Sequence, residues 1–189
     1  MKTLKINGTE YTFQPTTGKV LSTNKNLETK VSGHGGGGGT FRGTGFTNSV
    51  KITSKTTVHD QIFIEDSNGT EHAYQLQDFD VSCREGNQLT ILAAFKLNKN
   101  SGYNFAAINH TTRKTFYSEK NLQKIASPNI FLFLGIFVVT LFILAKIFSG
   151  SALIVGLILF LSMLIYYIVR MKQNISMIKR SIISTDYAI

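Results

Sequence analysis

The side chains best equipped for chemistry are four histidines, His34, His59, His72 and His110, and a single cysteine, Cys83. With Asp60 and Glu71 they supply the donor types that zinc accepts. A zinc site, however, is normally announced by paired ligands at short, fixed spacing, and these residues are scattered. Cys83 could act as a nucleophile only beside a positioned base. Its own context, Cys83-Arg84-Glu85-Gly86, reads as a turn. The second candidate is the segment 33–45, GHGGGGGTFRGTG, which holds half of the 16 glycines. Backbone N–H groups of such a segment can cradle a phosphate. Here, though, Gly33, Gly35 and Gly38 match G-x-G-x-x-G only because polyglycine matches nearly any glycine pattern, and no Gly-Lys-Ser/Thr or opening helix follows. The expectation is a loop or close-packed turn without a cofactor, flanked by Phe41, Arg42 and Phe46 as a candidate interaction surface. No catalytic residues and no metal ligands are assigned.

The elements that must carry these residues are strands. Residues 1–118 alternate apolar and polar positions, with turn residues between short runs. Leu4–Ile6, Asn7-Gly8 and Tyr11–Phe13 form one expected hairpin, because Asn-Gly accepts the positive φ values of a type I′ turn. Gln61–Glu65, Ser67-Asn68-Gly69 and His72–Leu76 form another. Further strands are expected at 18–21, 29–32, 49–53, 89–95, 103–108 and 114–117. The fold class is thus a mainly β N-terminal domain, a small barrel or sandwich, followed by a two-helix transmembrane hairpin. Residues 119–127 read as a linker helix.

Two uncharged runs follow. Asn129–Ala145 extends to a first span over 128–148, with Ser127 as cap and Pro128 in the opening turn. Ala152–Val169 gives a second span over 152–170, edged by Tyr166, Tyr167 and Arg170. The short link between them requires antiparallel neighbours. Thr140 and Ser162 can satisfy their hydroxyls on their own helices. Beyond the membrane, Met171, Ile175, Ile178 and Ile182 fall at steps of four and three within residues 171–189. That pattern suits an oligomer seam in a stalk, or equally an amphipathic helix on lipid.

Charge sets the expected orientation. Residues 1–127 hold 15 of the 20 Lys/Arg and 10 of the 11 Asp/Glu, a net +5. The outer flanks carry Arg113, Lys114, Lys120 and Lys124 before the first span and Arg170, Lys172, Lys179 and Arg180 after the second, whereas the link carries Lys146 alone. Both termini are therefore expected in the cytoplasm. A charge this mild and spread out indicates solubility, and no nucleic-acid partner is expected. One cysteine excludes an intramolecular disulfide. The triplets at Asn7, Asn68 and Asn109 match the glycosylation pattern, to which a cytoplasmic domain is not exposed.

The stretch Val31-Ser-Gly-His-Gly-Gly, with Val50–Asp66 (VKITSKTTVHDQIFIED) and Gly69-Thr-Glu-His-Ala, resembles a family of poorly characterised bacterial inner-membrane proteins with a glycine-rich soluble β-domain. The resemblance covers roughly residues 30–95 and implies a bacterial inner membrane, without mechanism or site residues. The function expected is a membrane-anchored cytoplasmic binding or scaffold module, with the lipid bilayer and a protein partner or homo-oligomer as its partners. Its rivals are an oligomeric channel or membrane-perturbing effector and, behind that, a tethered enzyme.

Overall fold

The computed structural model describes residues 2–35, 39–41, 43–46, 49–147 and 152–184. The N-terminal part is one open antiparallel sheet built from β1 (Lys2–Ile6), β2 (Thr9–His34), β5 (Lys51–Glu65), β6 (Glu71–Gln77), β7 (Gln88–Lys96), β8 (Gly102–Asn109) and β9 (Lys114–Tyr117). The strand order is β6-β5-β2-β7-β8-β9, with β1 also paired to β2. A small two-stranded sheet, β3 (Gly39–Phe41) and β4 (Thr44–Phe46), lies within the glycine-rich segment. Three helices follow: α1 (Glu119–Ala126), α2 (Ile130–Ile147) and α3 (Ala152–Ile183).

Both expected hairpins form. Lys2 to Ile6 pairs with Phe13 back to Thr9, and the turn between them places Asn7 and Gly8 at φ +49° and +80°. The β5–β6 turn is organised by Asp66, whose carboxylate accepts from the N–H groups of Asn68 and Thr70. The barrel or sandwich is corrected to a single open sheet. β6 and β9 end its strand order without closing on each other, and the faces are covered by helices and a loop in place of a second sheet.

The expected strands at 18–21 and 29–32 are parts of one 26-residue strand, β2. Pro15 does not interrupt it. Pro15 falls between the stretch paired to β1, ending at Phe13, and the stretch paired to β5, beginning at Lys19. There β2 has a neighbour on one side only, so the missing N–H costs little. Gly18 is required for another reason: a Cβ there would overlap the Glu65 backbone carbonyl of β5.

Facing residues of an antiparallel pair share a face, so the register assigns the core. One face carries Ile6, Phe13, Leu92, Ala94, Ala106 and Ile108, covered by Leu122, Ile125 and Ala126 of α1 and by Ile178 and Ile182 of α3. Phe105 is the extra residue at a bulge in β8, and its ring packs 4.9 Å from that of Phe13. The opposite face carries Val20, Ile62, Ile64, Leu76, Leu89, Ile91 and Ala107, roofed by Phe79 and Val81 from the β6–β7 loop.

α1 begins where expected, with the Ser118 hydroxyl accepting from the Asn121 N–H. Ser127 is not the cap of α2; it closes α1, its hydroxyl donating to the Gln123 carbonyl. Asn129 is the cap, accepting from the N–H of Phe131 at 3.0 Å. α1 and α2 meet at a bend of 49°. By contrast, α3 runs unbroken through the expected boundary at residue 170. α2 and α3 touch through Phe133 with Tyr166 and Tyr167, through Phe137 with Phe160, and at Gly156, where a Cβ would lie 2.7 Å from Leu141. Thr140 and Ser162 donate to the carbonyls of Ile136 and Leu159 on their own helices.

Candidate functional site

The four histidines are not brought together. His59 pairs with Glu28 at 3.2 Å, His72 with Asp66 at 3.0 Å, and His110 with the Thr90 hydroxyl at 2.7 Å. His34 is exposed at the end of β2. Among the described residues no group of three or more His, Cys, Asp or Glu side chains could hold a metal ion. The hydrogen bond from His72 lowers the pKa of Asp66, and burial lowers that of His110. The Thr90–His110 contact continues to Thr17, but Thr90 is buried at 1% exposure and so is closed to a substrate. Burial also raises the pKa of the Cys83 thiol, the opposite of the shift that activates a nucleophile. Near it Lys25 joins the carboxylates of Asp80 at 2.6 Å and Asp60 at 3.5 Å. Asp60 itself is buried and accepts from the Val81 N–H, which ties down the loop over the second core face.

The four apolar positions of the C-terminal helix have a partner within the chain. Ile178 and Ile182 are buried against the sheet and α1, and Met171 and Ile175 pack on the same cluster. Polar contacts fix the docking. The Asn174 amide donates to the Asn7 side-chain oxygen and to the Ala126 carbonyl, each at 2.9 Å, and Asn7 donates to that same carbonyl. Lys179 pairs with Glu119 at 2.7 Å and lies over the Tyr117 ring. Lys2 donates to the Ser181 carbonyl. As a seam between copies these four positions are already occupied, because the helical stripe that would face a partner faces the chain's own core.

The feature with the most accessible chemistry is the outer half of β2 and β5. Pairing with β7 ends at Lys19, and pairing with β6 begins only at His59. Beyond these points, among the described residues, β2 and β5 are paired as strands only with each other, from Leu27↔Val58 to His34↔Lys51. The resulting ribbon has two different faces. Leu27, Thr29, Val31 and Gly33 stand opposite Val58, Thr56, Ser54 and Ile52. This face continues that of Ile62 and Ile64, because β5 keeps its alternation and β2 makes up its phase at the bulge after Val20. It is bare: Leu27, Val31 and Ile52 are 67%, 68% and 70% exposed, and Val50 just before β5 is 62% exposed. The reverse face pairs Glu28 with Thr57, Lys30 with Lys55, Ser32 with Thr53 and His34 with Lys51. Like charges directly opposite one another weaken a ribbon.

The ribbon ends at the glycine-rich segment. Phe41 and Phe46 belong to β3 and β4, which pair from Gly39↔Phe46 to Phe41↔Thr44, with Gly43 at φ +83° in the turn. Arg42, and with it the three-residue surface expected there, lies outside the described residues. The ribbon was missed as a unit because its halves lie on either side of that segment. The signal was present as Leu27-x-Thr29-x-Val31 and Val50-x-Ile52-x-Ser54-x-Thr56-x-Val58, two alternating runs of five and nine residues.

Comparisons with protein-family models, with curated proteins and with solved structures found no match.

Proposed function

We propose that the chain is a membrane-anchored scaffold of a bacterial inner membrane, with α2 and the first half of α3 as a transmembrane hairpin and the sheet domain in the cytoplasm. One observation carries the reading. The apolar side chains of these helices point outward: Phe131, Phe142, Ile154, Leu157, Ile158 and Ile165 are all exposed. A continuous apolar surface of that size on a water-soluble protein would be an aggregation site; in lipid it is satisfied. α3 is long and apolar enough to cross a membrane, and α2 joined to α1 passes the same test as a bent pair. At about 1.5 Å per residue, the 18 residues of α2 reach about 27 Å. The ring contacts support opposite directions, since Phe133 meets Tyr166 and Tyr167 late in α3 while Leu141 meets Gly156 near its start. Arg170, Lys172, Lys120 and Lys124 then flank the cytoplasmic side.

A scaffold suits this arrangement because α3 passes unbroken from the hairpin into the docked region around Asn174, Ile178 and Ile182. The sheet is thereby held at a fixed attitude to the bilayer. The direction of β2 follows from the same contacts. Asn7 lies beside Asn174, and Lys2 lies beside Ser181, farther along α3. Since Lys2 pairs with Phe13 and Ile6 with Thr9, β2 leaves the membrane end at Thr9 and carries the ribbon outward. A channel would need a polar lining, and the hydroxyls of Thr140 and Ser162 already bond to their own helices.

Protease protection tests the reading. In spheroplasts the N-terminal domain should survive added protease, and in inverted vesicles it should be cut. Digestion from outside, or recovery of the full chain in the soluble fraction without detergent, refutes it.

A further inference from the structure

We infer that the bare apolar face of the β2–β5 ribbon is covered by the same face of a second copy of this chain. The inference rests on the membrane reading above, which orients both copies alike.

An isolated two-stranded ribbon is marginal in water, and stability calls for packing of its apolar face. Among the described residues, nothing in the chain packs there: Leu27, Val31, Val50 and Ile52 are all more than three-fifths exposed. The bilayer that holds the chain is not available either, because β2 runs away from the membrane end of α3. A second copy in the same bilayer is available, and its geometry fits. Two chains inserted the same way are related by an axis along the membrane normal, and their ribbons then project side by side. That symmetry lays β2 of one copy over β5 of the other at equal height, so Leu27 faces Val58 of the second copy, Val31 faces Ser54 and Ile52 faces Gly33, with the two Val31 residues diagonal neighbours across the contact. Thr29 and Thr56, whose hydroxyls bond to each other at 3.0 Å, bring satisfied polar groups into that contact. The lysine faces, with Lys30, Lys51 and Lys55, turn outward on opposite sides of the pair, where like charges are kept apart.

The area is in range. From Leu27 to Gly35 the strip is about 27 Å long and about 12 Å wide, a flat footprint of about 320 Å² per copy, whose projecting side chains expose on the order of 500 Å² of accessible surface. Both copies together bury about 1,000 Å², the lower edge of specific interfaces. Confinement to one membrane raises the effective concentration and makes such an interface sufficient.

The test uses the full chain in native membranes, with Cys83→Ser to remove the only thiol. Val31→Cys or Lys30→Cys is then added, and a short bis-maleimide is applied that spans the ~10 Å between packed sheets. The inference expects most of the Val31→Cys chain to be trapped as a dimer, and Lys30→Cys, one residue along and on the reverse face, to be trapped several-fold less. Adding Ile52→Asp to Val31→Cys should abolish the dimer band. Equal trapping at both positions overturns the inference. So does a Val31→Cys thiol that labels freely without dimer, or one shielded from label without dimer, which means another partner covers the face. Failure of the membrane reading is separately visible in the protease assay. A chain found soluble is scored by sedimentation, with Val31→Asp expected to convert dimer to monomer.

Discussion

The docking of α3 on the sheet makes Asn174 the most informative single residue. Its side chain is 2% exposed and donates twice, to Asn7 and to the Ala126 carbonyl. Asn174→Ala removes both hydrogen bonds, each worth about 1 kcal/mol net, and leaves the Asn7 oxygen without this donor in a semi-buried site. The Ala126 carbonyl keeps the Asn7 donor, so the cost is limited to about 2–3 kcal/mol of domain stability. The natural partner variant is Asn7→Gly, because Asn7 sits at positive φ, where alanine would add backbone strain. The two changes remove one shared network, so the double variant should cost less than the sum of the singles by about 1 kcal/mol. Denaturant unfolding of the detergent-solubilised chain measures all three, and hydrogen exchange at residues 171–183 reports whether α3 undocks first. A loss below about 0.5 kcal/mol for Asn174→Ala, or strict additivity in the cycle, refutes the account of how the helix is held.

Two further outcomes follow from local geometry. Gly18→Ala drives a methyl group into the Glu65 carbonyl and should destabilise the domain by about 1–3 kcal/mol, with faster exchange of the β2–β5 amides near Lys19 and Val20; an unchanged melting profile would show that the strands can part without cost. His110 has a pKa held by burial below the ordinary 6.5, so the folded state binds its proton less readily than the unfolded one. Its contribution is complete above about pH 6.5 and is lost as pH falls through the lowered value, and a His110→Gln variant should show a flatter stability profile between pH 7 and 5. An identical slope in the variant would assign the pH dependence elsewhere.

Much of the local structure was legible because local chemistry dictates it. Asn7-Gly8 allows little but a tight turn, Ser67-Asn68-Gly69 turns as expected, and α1 (Glu119–Ala126) falls within the anticipated 119–127. What the sequence withheld was long-range. Nothing local distinguishes separate strands at 11–13 and 18–21 from one strand with Pro15 inside it, since the tolerance depends on the absence of a neighbour on one side. Sheet closure is likewise decided by what covers the faces, and Phe79, Val81, Ile178 and Ile182 do so from distant parts of the chain. The stripe Met171, Ile175, Ile178 and Ile182 was readable as a contact face, but apolar spacing carries no label for its partner. Asn174 adjoins that stripe as a polar residue, and nothing in the apolar spacing marks it as buried. Among the triplets, Asn109 is buried and donates to the Ser82 carbonyl, a structural role.

The absence of any break in α3 has a mechanical consequence. α1 and α2 meet at a bend, whereas α3 is one rod that, under the membrane-anchored function proposed above, would connect lipid and sheet. A change in the inclination of that rod within a bilayer would then swing the whole sheet. The 26 residues of β2 extend about 85 Å at strand rise, so a 10° change at the root displaces the far end by about 15 Å. Under the proposed anchoring, small alterations in bilayer thickness, which helices accommodate by leaning, would be magnified into large excursions of the far end of β2 at His34.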